Sequence, residues 1–135
     1  SIGSALEYAV KILRVKDIVV MGHAHCGGVA ALCKSINNDK KGEVKDNPSD
    51  FVKSWVDIAK PALSKIDLDH NDANIEVTSE RAVVLYSYSN LLTYPWLNEA
   101  VSKNSLEIHA WWLDFKSVML WKKAQGSDSF IPMDF

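Results

Sequence analysis

Cysteine is scarce in this chain, and neither sign of charge dominates. The two cysteines, Cys26 and Cys33, are too few for a disulfide framework, and a reducing compartment fits best. The 15 Lys and Arg stand against 17 Asp and Glu, a formal net charge of -2, so no basic footprint for nucleic acid is present and the expected ligand is small. No apolar run approaches the roughly 18 residues of a membrane span, and no basic-then-apolar leader precedes Ser1. The expected setting is therefore intracellular, cytoplasmic or organellar, with no targeting segment visible. Repeats and low-complexity tracts are lacking as well. The chain opens without Met inside a helical pattern, which reads as a processed or truncated protein. Its 135 residues are one domain's worth, enough to bury roughly two thirds of the surface exposed by the unfolded chain.

Apolar periodicity supplies the elements. Ala5, Leu6, Ala9, Val10, Ile12 and Leu13 recur at helical spacing from Ser4 to Leu13, and Ser4 with Glu7 suits a capping box. The run Ile18-Val19-Val20-Met21 reads as a parallel strand buried on both faces, ended by Gly22. Gly27 and Gly28 lead into a second helix through Val29, Leu32, Cys33 and Ile36, which fades in "NNDKKGEVKDNPSD". A third helix is expected from Asp50 to about Ile66, kinked by Pro61. A fourth should run from Ala73 to the region of Leu91, and "TYP" separates it from a short helix around Trp96 to Val101. Leu106 to Phe115 and Val118 to Trp121 read as strands of a hairpin around Lys116-Ser117, placed at the sheet edge. This order predicts an α/β layer fold.

The chemistry concentrates in "VVMGHAHCGG", residues 19 to 28. A strand, a glycine turn and a helix bring backbone N–H groups and the positive helix end to one point, which suits an anion. Gly22 and Gly27 imitate the start of a P-loop, but Gly28 stands where Lys belongs and Val29 where Ser or Thr belongs, so the phosphate grip is missing. A cysteine-phosphatase loop needs an Arg five residues after the cysteine, where Leu32 sits. A Cys-His hydrolase built on Cys26 remains as a weaker reading. The remaining one is a metal: His23 and Cys26, spaced H-x-x-C, offer an imidazole nitrogen and a thiolate to one ion, and zinc suits that mixture. One such pair is half a site, and on spacing alone an equal reading is that His23 caps the strand and Cys26 is merely a small residue.

Here the residues resemble a known family. "SALEYAVKILRVKDIVVMGHAHCGGVAAL" is similar to the β-class carbonic anhydrases, in which an E-Y-A-V helix leads into a strand ending G-H-x-x-C-G-G. "DFVKSWVDIAKPALSKI", "ERAVVLYSYSNLLTYPWLNEAVSKNSLEIHAWWLDF" and "VMLWKK" look like the family's later helices and edge strands, most like its plant-type branch. The resemblance implies a parallel-core sheet flanked by helices with an antiparallel edge hairpin. The activity implied is zinc-dependent, reversible hydration of CO2 to bicarbonate and a proton by a zinc-hydroxide mechanism. It makes His23 and Cys26 ligands of Zn2+, Tyr8 a wall of the substrate pocket near a subunit boundary, and Gly27 a backbone donor beside the zinc-bound oxygen. His25, in a variable slot, is a bystander. A homodimer or higher homo-oligomer is implied too, with neither nucleic acid nor membrane as partner.

The family's third ligand, a cysteine of an upstream C-x-D-x-R strand whose Asp and Arg form a dyad beside the metal, has no counterpart here. The family's first strand and N-terminal helices are likewise not in this sequence, so the expectation is an N-terminally incomplete domain with an incomplete active site. Cys33 continues an apolar helix stripe and reads as core. Ala110-Trp111-Trp112 departs from the plant-type Gly-Gly-Tyr. The competing reading is a non-catalytic α/β module of the same fold that binds a small anion or a partner. Other patterns carry less. Asp67, Asp69 and Asn71 alternate as in a calcium loop, but Asp72 and Thr78 stand where Gly and Glu are needed. Trp111, Trp112 and Trp121 lack an interleaved basic patch and read as strand packing, an oligomer contact included, rather than as base-stacking residues. His109 reads as structural, and Ser87 and Ser89 lie outside any nucleophile elbow.

Overall fold

The structure, a computed structural model, describes residues 1–43, 51–68 and 73–134. The β-branched run becomes β1 (Asp17–His23), which pairs in parallel with β2 (Glu107–Asp114), in register from Asp17 opposite Glu107 to His23 opposite Leu113. A tight hairpin turns β2 into antiparallel β3 (Met119–Lys123), and β4 (Phe130–Pro132) adds a further antiparallel strand, giving the order β1-β2-β3-β4. Asp114 closes the hairpin by accepting from Ser117 Oγ at 2.6 Å and the Lys116 amide at 3.0 Å. Those bonds hold its carboxyl below the ordinary range, the Ser117 bond being the larger cause.

Helices flank the sheet. Ile18, Val20 and Ile108 pack with the buried Leu97 and Leu106. Around them lie Val10 of a π-helical turn (Tyr8–Ile12) that continues α1 (Ile2–Glu7), Tyr88 and Leu91 of α4 (Ile75–Leu91), and Trp96 and Val101 of α5 (Pro95–Ser102). A second cluster, Leu32, Val56 and Leu63, ties α2 (Gly27–Lys40) and α3 (Phe51–Asp57) to a 3-10 turn (Lys60–Leu63) and to Ala82 and Val83 of α4. Gly22 lets α4 come this close to β1: a Cβ there would lie 2.4 Å from Val84 Cγ2.

Four expectations need correction. The Ser4–Glu7 capping box does not form: Ser4 Oγ instead meets Ser1, donating to its carbonyl at 2.9 Å, while Glu7 pairs with Lys11 at 2.6 Å. β1 is not buried on both faces. It is an edge strand of this sheet, Val19 and Met21 are 42% and 59% exposed, and the helices pack on the side that carries Ile18 and Val20. The third helix does not run through Pro61. It ends at Asp57, and Pro61, with no N–H to donate, is accommodated at the start of the 3-10 turn. The hairpin does not form the sheet edge, because β4 covers β3. A three-residue strand containing Pro132 carries too short a pattern to be read. Asp50, at the expected start of the third helix, and residues 69–72 of the calcium-like pattern lie outside the described residues.

Candidate metal centre

The turn between β1 and α2 is fixed at several points. The Ala24 amide donates to the Leu113 carbonyl at 2.8 Å, so the β1–β2 ladder continues one residue past β1. His25 then takes a left-handed φ of 55°, a region histidine enters more readily than most residues. This sharp step carries the chain into Cys26, the extended N-cap of α2, whose carbonyl accepts from the Ala30 amide at 3.0 Å. The amides of the first turn of α2 have no acceptor within the helix, and the helix presents its positive end here.

His23 sits at the last β1 position, half-buried, with its ring 5.2 Å from that of Phe115. Its Nδ1 lies 2.9 Å from the Ala24 carbonyl, which can only accept, so Nδ1 is the donor there and Nε2 is the nitrogen left for another partner. This is the arrangement in which an imidazole is oriented for a metal through its other nitrogen. Cys26 is a half-buried free thiol. The Cys26 amide donates to Glu80 Oε1 at 3.1 Å. A Cβ at position 28 would meet both the Cys26 Sγ and the Trp55 ring at 3.7 Å, ordinary contact distance.

The His25 side chain is 70% exposed, and its Nδ1 lies 3.1 Å from Glu76 Oε1. Gly27 opens α2 with free space on the side where a Cβ would stand. Tyr8 lies on the π-helical turn and is 57% exposed. Cys33 packs against Leu32, Val56 and Leu63, as its stripe implied. Among the described residues, the three His, Cys, Asp or Glu ligand atoms that cluster within 4.8 Å belong to Asp17, Glu107 and His109. There His109 Nε2 meets Asp17 at 2.8 Å while Nδ1 faces Glu107 at 3.9 Å. The two carboxylates thus lie at opposite ring nitrogens, which suits a structural histidine.

Sequence reasoning missed Glu80. It is 2% exposed, with Oε1 on the Cys26 amide and Oε2 accepting from Trp112 Nε1 at 3.1 Å. Its neighbour Arg81 lies against the rings of Trp112, Trp121 and Phe130 at 4.4, 4.7 and 5.3 Å. Burial lowers the Arg81 pKa, opposed by attraction to Glu80 and Asp114. A Glu-Arg pair in a helix ordinarily means a solvated face. Only the crossing of α4 over β1 and β2 puts this pair inside.

A mixed sheet flanked by helices, with His23 and Cys26 where β1 passes into α2, defines an α/β protein with two candidate metal donors at one turn. The chain belongs to the carbonic anhydrase family, whose model matches residues 1–120, and its relatives are of the β class. It is 33% identical over 132 residues to Beta carbonic anhydrase 3 of Arabidopsis thaliana, an alignment covering 87% of this chain and 49% of that protein. Among solved structures, the β-carbonic anhydrase CcaA matches with a TM-score of 0.76 at 21% identity, over 97% of this chain and 62% of CcaA. Tetrameric β-carbonic anhydrases of Sordaria macrospora match with a TM-score of 0.70 at 21% identity, with the same coverages of 97% and 62%. The chain thus spans about half the length of its curated relative.

Proposed function

We propose that this chain forms the histidine-bearing half of a zinc site that hydrates CO2 reversibly to bicarbonate and a proton. The observation that carries the proposal is the turn itself. His23 has its Nδ1 committed to a carbonyl and its Nε2 free, three residues from the free thiol of Cys26 on the capped end of α2. An imidazole nitrogen and a thiolate are donors zinc accepts, so the residues present fit the ion. They supply two donors, and a third is proposed to come from chain beyond these residues, as the resemblance implies. When bound, zinc supplies a Lewis acid that brings the pKa of a coordinated water towards about 7.

The remaining work falls to the chain. His23 holds one donor atom in a fixed direction, because the ladder at Leu113 and the Ala24 carbonyl fix its backbone and ring. Cys26 holds a second donor, its sulfur, at the N-terminal end of α2. Gly27 offers a backbone N–H at the same end, placed to donate to an anionic oxygen such as that of bicarbonate. Tyr8 is assigned to the pocket wall on the strength of the family resemblance. A homo-oligomer is the proposed assembly, supported by the tetrameric Sordaria macrospora neighbours.

Zinc analysis with stopped-flow CO2 hydration tests this reading, on this chain and on the natural protein that contains it. We expect about one zinc per chain and measurable hydration in the natural protein, with both lost in His23→Ala and Cys26→Ser. A protein that binds bicarbonate without zinc or turnover would overturn the enzymatic reading. It would favour the anion-binding module, which the open amides at the start of α2 would equally suit.

A further inference from the structure

Glu80 is the one buried charged residue among the described residues. A carboxylate seldom leaves water unless its oxygens are fully engaged. Here each oxygen has its own N–H donor: the Cys26 amide at 3.1 Å on Oε1 and the Trp112 indole at 3.1 Å on Oε2. Trp112 is itself immobilised, 3% exposed with the Arg81 guanidinium 4.4 Å from its ring. The result is a chain of contacts from β2 through α4 to the turn that carries Cys26.

We propose that Glu80 is a positioning residue for the Cys26 thiolate, a bridge from Trp112 to the Cys26 amide that sets the direction in which the sulfur meets the metal. This rests on the zinc reading above. The physical basis is that the Cys26 N–H direction follows its φ of -70°. A bond holding that N–H therefore also holds the Cα–Cβ bond from which Sγ is aimed. His23 has its own anchors in the β ladder and the Ala24 carbonyl. Cys26, one residue beyond the left-handed His25, lies past the last ladder contact. Glu80 supplies the missing anchor from across the fold.

The residue type follows from the partners. Both are donors, so the bridge needs an acceptor at each end, which a carboxylate provides. Glutamine provides an acceptor at one end only and turns its NH2 towards a donor at the other. That asymmetry allows the bridging role to be separated from simple packing. In Glu80→Gln, either the Cys26 amide or the Trp112 indole loses its acceptor. Removing the indole donor as well, in Glu80→Gln/Trp112→Phe, frees the glutamine oxygen for Cys26.

Cobalt(II) binding provides the test, since a thiolate-to-cobalt absorption band reports the sulfur and its geometry without any turnover. The protein should show a band that Cys26→Ser abolishes. Glu80→Gln should weaken cobalt binding roughly 10–100-fold, the usual effect of losing a partner that orients a ligand, and shift the band. Glu80→Gln/Trp112→Phe should recover both. A loss in Glu80→Gln with no recovery in the double variant would overturn the proposal. A band and affinity unchanged in Glu80→Gln mean that the glutamine oxygen stays on Cys26, and the comparison with a variant that has no acceptor then decides. In that case, or if Glu80→Gln folds poorly, the double variant is compared with Glu80→Met/Trp112→Phe, which keeps an apolar side chain of similar length and no acceptor. Equal cobalt binding by those two overturns the proposal, and weaker binding by the methionine variant supports it. The zinc reading fails separately, if no band depending on Cys26 forms in the unsubstituted protein. Hydrogen exchange at the Cys26 amide, faster in Glu80→Gln if Glu80 holds the turn, then still decides the bridge.

Discussion

At the scale of single residues, Gly22 and Ser79 respond in opposite directions to the same change. Alanine at position 22 would place its Cβ 2.4 Å from Val84 Cγ2, so β1 or α4 must shift. Gly22→Ala should cost about 1–3 kcal/mol of stability, the usual range for overpacking, in urea denaturation. Val84→Ala in the same chain should return part of that loss, since it removes the colliding methyl. Ser79 is fully buried and its Oγ finds no hydrogen-bond partner. Ser79→Ala removes an unsatisfied hydroxyl and should raise stability by about 1 kcal/mol, near the low end of the cost of burying such a group. An unchanged or lowered denaturation midpoint would show that the hydroxyl is satisfied in solution.

At the scale of elements, a polar knot at Asp57 joins α2 and α3 to the 3-10 turn. Asp57 accepts from Ser35 Oγ at 2.9 Å and Lys53 Nζ at 2.8 Å, and Lys60 lies 3.1 Å away while also reaching Asp39 at 2.6 Å. Burial pushes the Asp57 carboxyl upward, but the bonds from Lys53, Ser35 and Lys60 outweigh it and leave the pKa below its ordinary 3.8. A depressed carboxylate contributes stability that is fully present above its unfolded pKa and is lost as pH falls through the folded one. Urea midpoints should therefore fall for the native chain as pH drops below about 4, near the unfolded carboxylate value. Asp57→Asn should be less stable at pH 7 and show a shallower acid loss. Equal acid slopes would place the pH dependence elsewhere. The other element-scale device is β4, which supplies Phe130 to the aromatic surroundings of Arg81. Arg81→Lys keeps the charge but loses the planar face, and should cost about 1 kcal/mol in the same measurement.

At the scale of the whole molecule, the side of β1 that carries Val19 and Met21 is open, and Ile131 of β4 is 42% exposed. An open apolar face of this kind predicts association as concentration rises. Sedimentation velocity should show it, and Met21→Lys should reduce it without altering the denaturation midpoint. A monodisperse monomer at all concentrations would contradict this.

Much of the architecture was legible because its signals are local. The β-branched run of β1, the helical periodicity of α2 and α4, and the Pro95 and Lys116-Ser117 boundaries depend on neighbours within a few residues. The turn that carries His23 and Cys26, the proposed metal pair, was legible for the same reason, since three residues separate its members and the glycines around them mark a turn. What escaped is non-local. β4 is too short to carry a pattern. The break before Pro61 depends on how α3 meets α2, and the exposure of β1 depends on which strands stand beside it. Glu80 carried no signal in the sequence, because no property of its own segment tells that Trp112 and Cys26 will meet it, 32 and 54 residues away in sequence. Sequence by itself determined the family, the order of elements up to β3 and two candidate donor residues, all written in short-range patterns of residue type. Only the tertiary structure decided what holds those donors in place, because a hydrogen bond across the fold follows from the packing of α4 over the sheet and leaves no periodicity in the chain.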